Sequence, residues 1–160
     1  MTPTWMMIAE SELGVKEVSG KEHHPRILQY HNSTTLRRIA AGKDETPWCS
    51  SFVNWCLEGA GYVGTDSARA RSWLWWGAEL VEPRLGCVTI IKRRARGADA
   101  ATGGRLGYHV GFYADPRISG GYTRLLGGNQ RDQVKYSSYP EDKYEIKGYR
   151  WPIERQAPKT

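Results

Sequence analysis

Residues 46–58 read TPWCSSFVNWCLE, a short helical pattern carrying two of the chain's three cysteines. After Pro47, the residues Phe52, Val53, Cys56, Leu57 and Ala60 recur as one apolar stripe, and Gly59 or Gly61 supplies a stop. Thr46 fits an N-cap, and proline is favoured in a first helical turn, so the helix is expected to start here. Cys49 then falls in that first turn, where the positive end of the helix dipole favours thiolate over thiol. Cys56 lies two turns on, within the stripe, where a thiol behaves as a small hydrophobe. Cys87 opens a strand pattern after Gly86 and reads as structural too. Cys49 is therefore the candidate nucleophile, set against a plain packing role.

Upstream of this helix the chain also reads helical. Pro3 precedes TWMMIAESELGVKEV, in which Met6, Ala9 and Leu13 share a face. PRILQY, from Pro25, fits a second short helix. Downstream, TDSARARSWLWWG suits a further short helix with Thr65 to Ser67 as cap candidates. The period then changes. CVTIIKR, GYHVGFYAD, GYTRLLGGN, DQVKYSSYP and EIKGYRWP are short β-branched and aromatic runs, separated by Gly, Pro, Asp and Asn. Their short connections predict an antiparallel meander. KRRARGADAATGGR, from Lys92, reads as a long basic hairpin loop, and the tail RQAPKT as frayed. Helices followed by strands predict an α+β fold with an antiparallel sheet of about five strands. One catalytic domain is expected over residues 1–160: a helical part at 1–45, the nucleophile helix and its follower at 46–80, and the sheet at 86–153.

Composition narrows the class. The hydrophobic fraction of 39%, with 7 Trp and 9 Tyr, suits a globular core and not a disordered chain. The net charge of +6 favours a polyanionic neighbour, whether nucleic acid, membrane surface or cell wall, or simply a soluble basic protein. Three cysteines with no CxxC pair lack the common zinc spacings and point to free thiols. No metal site and no cofactor are expected. No apolar run reaches the roughly 18 residues that span a bilayer. MTPTWMMIAESELG lacks the basic and apolar regions of a secretory signal.

A nucleophilic thiol needs a base, and the base needs an orienting group. His23, His24 and His31 lie near loops or helix ends and suit surface or capping roles. His109 differs. In GYHVGFY it shares a strand face with Gly111 and Tyr113, opposite Tyr108, Val110 and Phe112. Glycines around it leave room for another chain or a substrate, although a cross-strand role fits as well. Asn129, at the end of LLGGN, could bond the imidazole and fix its tautomer, or serve as a turn residue.

Together, DETPWCSSFVNWCLEGAGYVGTDSARARSWLWWG, HVGFY, GGYTRLLGGNQRDQVKYSSYP, GYRWP and the earlier ELGVKEVSGKEHHPRILQY resemble a group of small bacterial and phage cell-wall hydrolases. These are the papain-like, NlpC-like and cysteine-, histidine-dependent amidohydrolases/peptidases. The resemblance implies a papain-like fold, with the helix that carries the nucleophile packed on the antiparallel sheet that carries the histidine, and cleavage of an amide bond in peptidoglycan, at a stem peptide or at the muramoyl–alanine link. It assigns Cys49 as nucleophile, His109 as general base and Asn129 as the third, variable polar position. Trp48 and Trp73 could line a substrate groove or sit in the core. Glu45 could bind a substrate amine or complement the helix dipole.

The missing signal fits a phage endolysin released by a holin. It also fits an antibacterial effector delivered by a secretion machine and matched by an immunity protein. Either would be made in the cytoplasm and act on the wall, without stable membrane insertion. A binding module for cell wall or nucleic acid is the alternative from another class. The basic run KRRARG is short and not interleaved with aromatics, so nucleic acid is not the expected partner.

Overall fold

The computed structural model describes residues 1–18, 24–34, 47–115 and 120–154. The fold is α+β, with helices laid on a six-stranded antiparallel sheet. Thr46, Asp44 and Glu45 lie outside the described residues, as do His23 and the tail RQAPKT.

Helix α1 (Thr4–Ser11) starts directly behind Pro3 and buries Trp5, Met6 and Ala9. Leu13 lies past its end and is exposed, so it does not extend the apolar face expected of it. Trp5 ties this helix to the sheet by donating Nε1–H to the Gly86 carbonyl at 2.8 Å. Helix α2 (Pro25–Asn32) has Pro25 in its first turn and His24 as N-cap, whose Nδ1 accepts the Arg26 N–H.

Helix α3 (Cys49–Gly59) begins after Trp48, which is its N-cap. It is not amphipathic in its first two turns: Ser50, Ser51 and Asn54 are as buried as Phe52, Val53, Cys56 and Leu57. Buried polar groups need partners, and each of these has one. Ser50 Oγ donates to the Ser67 carbonyl and accepts from Trp73 Nε1. Ser51 Oγ meets His31 Nδ1 at 2.8 Å. Asn54 Nδ2 reaches the Ser67 carbonyl and Thr65 Oγ1, while its Oδ1 accepts the Asp66 N–H. The loop after α3 is thus clamped onto the helix, and it leads into the expected short helix, a 3-10 helix at Ala70–Trp75.

Strands β2 (Val88–Arg93), β3 (Tyr108–Tyr113), β4 (Tyr122–Gln130) and β5 (Gln133–Pro140) form the expected meander. The basic run from Lys92 is the β2–β3 hairpin connection. Strand β6 (Tyr144–Trp151) departs from that pattern: it crosses back to pair with the far edge of β2, giving the order β1-β6-β2-β3-β4-β5. Val88 to Ile91 are all buried, so both edges of β2 must have their backbone groups paired. The short β1 (Ala78–Leu80) pairs with β6 and raises the expected five strands to six.

The sheet is covered on both faces. Val88, Ile90, Val110, Phe112, Leu126 and Val134 join the helices in the main core, where Phe52 meets Phe112 at 6.5 Å. A buried phenylalanine contributes about 2–3 kcal/mol. Ile91, Leu125, Tyr139 and Tyr144 form a second, smaller cluster on the other face. The β2–β3 connection ties into it through Asp99, which accepts the Tyr144 hydroxyl at 2.8 Å.

Candidate active site

The N-terminus of α3 is pressed onto β4. Trp48 is fully buried, stacks on Tyr30 and donates Nε1–H to Glu17 Oε1 at 2.6 Å. Its ring lies so close to Gly128 that a Cβ there would sit 2.7 Å from two ring carbons and 2.8 Å from Phe52 Cβ. Only glycine allows this approach. Strands β3 and β4 pair only at Phe112–Leu126 and Tyr113–Leu125, and β4 is bulged between Gly127 and Gln130. The first half of β3 is therefore left free of β4, and Cys49 addresses that half.

Cys49 is 3% exposed. Burial pushes its thiol up to about 11, against the opposing pull of the backbone amides of Val110, Ser50 and Cys49 itself. The helix-end amides do act in the expected direction, yet desolvation outweighs them, so the resting group is a thiol and not the thiolate expected from the dipole. Val110 directly follows His109 in β3, so the thiol lies against the backbone of the strand that carries the base candidate.

His109 is fully buried, and its Nε2 lies 3.0 Å from Gln130 Oε1. The Gln130 amide orientation is fixed independently, because its Nε2 donates to the Lys135 carbonyl at 2.6 Å and the Leu125 carbonyl at 3.2 Å. Oε1 can only accept, so His109 Nε2 must carry the proton. Nδ1 is left as a bare lone pair, buried and with no hydrogen-bond partner among the described residues. Burial holds the imidazole down to about 4, opposed by the Gln130 bond and the Asp99 charge. Tyr139 completes the cluster: its hydroxyl is 3.5 Å from His109 Nε2, and its pKa is raised by burial, then by charges that include Cys49.

No family model, curated protein or solved structure matches this chain. What the site can do therefore follows from its own geometry.

The third polar position needs correction. Gln130, not Asn129, meets the imidazole. Leu125 shares a face with Tyr139, so strict alternation along β4 would carry that face to Gly127 and Asn129. The bulge interrupts it: Asn129 adopts φ +56°, and Gln130 takes the inward position. Asn129 is buried against Gly103, with Oδ1 lacking a hydrogen-bond partner among the described residues. The doubled glycine before two polar residues was the available signal for a bulge.

The groove residues change as well. Trp48 and Trp73 are both fully buried with their indole N–H groups bonded inside the protein, so neither presents a face to substrate. Trp75 is the exposed tryptophan of that segment, at 80%. Cys56 and Cys87 are free and buried, Cys87 beside Thr89 Oγ1. Among the described residues, no group of three or more His, Cys, Asp or Glu could hold a metal ion, and no helix is long and apolar enough to cross a membrane.

Proposed function

We propose that this protein is a papain-like thiol hydrolase that cleaves an amide bond in peptidoglycan, with Cys49 as nucleophile, His109 as general base and Gln130 as the group that orients it. The observation that carries the chemistry is the fixed tautomer: a buried, unpartnered Nδ1 lone pair on His109, with the Cys49 thiol held at the backbone of the next residue. The peptidoglycan class rests on the family resemblance of the nucleophile helix and of HVGFY and LLGGNQ, and the net charge of +6 suits an anionic wall.

The resting pair is neutral, so proton transfer accompanies attack. As Sγ bonds to the carbonyl carbon, the thiol proton moves to Nδ1. The imidazolium keeps its Nε2–H on Gln130 Oε1. The carbonyl oxygen becomes an oxyanion near the first-turn amides of α3, whose N–H groups have no intrahelical acceptor. The C–N bond then breaks, and the leaving nitrogen takes the proton from Nδ1. Water attacks the resulting thioester and gives a proton to Nδ1; the C–S bond then breaks, Sγ recovers that proton, and the carboxylic acid leaves. The test is mass spectrometry of muropeptides after digestion of purified sacculi. A new amine and its matching carboxylate at one bond support the proposal. An unchanged muropeptide profile overturns it.

A further inference from the structure

We propose that the cleft between the β2–β3 connection, Arg131 and the β5–β6 turn is an anion subsite that receives a carboxylate of the peptide being cut. This rests on the amide-hydrolase function proposed above. The cleft has a volume of about 470 Å³ and is lined by Arg93, Arg94, Arg131 and Lys143 around Asp99 and Tyr144. That volume suits a short peptide end and not a polymer.

Its charge is unbalanced. Asp99 is buried and its oxygens are occupied by the Ala101 N–H, Thr102 Oγ1 and the Tyr144 hydroxyl, with Arg93 Nη1 at 3.9 Å. Arg94 Nε is held by the Glu141 carbonyl at 3.0 Å. Among the described residues Arg131 and Lys143 form no ion pair. Four cations therefore face two acids, the second being the exposed Asp142. A guanidinium with free N–H groups matches a carboxylate in two-point geometry.

One wall of the cleft stands two ring contacts from His109. Tyr144 on its wall meets Tyr139 edge-on at 4.9 Å, and Tyr139 meets His109. Arg131 directly follows Gln130, the imidazole's partner. It stands at φ +52° in the β4–β5 turn, with Asp132 at +63°. Such a turn favours Asn or Gly at both positions, so an arginine here is retained at a conformational cost.

The experiment is titration calorimetry on the inert Cys49→Ala protein with a stem tetrapeptide bearing a free C-terminal carboxylate, and with its C-terminal amide. The acid should bind at least about tenfold more tightly than the amide. Arg131→Asn, whose replacement suits the left-handed backbone, should erase that preference while its melting temperature stays level or rises. Equal affinity for the two peptides, or a preference that survives Arg131→Asn, would overturn the subsite, as would no binding of either. Binding of inorganic phosphate that fails to compete with the acid peptide would do the same. Failure of the wild-type protein to cut sacculi would count against the hydrolase function alone, since the calorimetry needs no turnover.

Discussion

Gln130 Oε1 sits 3.0 Å from His109 Nε2 and, because its own amide nitrogen is spent on two backbone carbonyls, dictates which imidazole nitrogen is protonated. Gln130→Ala should lower kcat on the order of a hundredfold by freeing the ring and its tautomer. Asn129→Gly should leave turnover within a few-fold and change stability by no more than about 1 kcal/mol, since glycine accepts the positive φ at that position. Steady-state assays of both variants check the assignment. A larger loss in Asn129→Gly than in Gln130→Ala would reverse it.

Replacing that amide by a carboxylate gives a signed prediction. In Gln130→Glu a negative oxygen faces Nε2–H and stabilises the imidazolium, so the His109 pKa rises from about 4. The acid limb of the pH–rate profile should move to higher pH. A limb that stays in place would remove Gln130 from contact with the base.

Stability should depend on pH through the same ring. The unfolded imidazole titrates near 6.5 and the folded one near 4. Between those values the unfolded chain holds a proton that the folded chain refuses. Stability from this group is complete above pH 6.5 and is lost as pH falls toward 4, about 3 kcal/mol in all. Urea denaturation across that range should show the loss, and His109→Gln should flatten it.

The seating of the nucleophile helix depends on one glycine. Gly128→Ala would place a methyl 2.7 Å from the Trp48 ring and against Phe52 Cβ, pushing α3 off β4. A loss of about 1–3 kcal/mol is expected, with a larger loss of activity than of fold. Melting temperature and turnover measured together separate the two effects.

Much of this layout was legible in the sequence. Alternation marked β2 to β6, Pro47 placed the start of α3 within two residues, and the glycines around His109 singled it out. What escaped has physical causes. Strand β1 has three residues and no period to read. The return of β6 to β2 is a non-local pairing, set by a buried strand's need for two neighbours. The burial of Ser50, Ser51 and Asn54 could not be read from the apolar stripe, because each is matched by a partner distant in sequence: the loop after α3, Trp73 or His31. The bulge in β4 shifted one register position and exchanged Asn129 for Gln130.

The most direct test of the central claim is release of muropeptides from purified sacculi by the wild-type protein, Cys49→Ala and Cys56→Ala side by side, each first shown to be folded. Loss of release in Cys49→Ala, with Cys56→Ala still active, is the predicted result. Release by Cys49→Ala at the wild-type rate would contradict it.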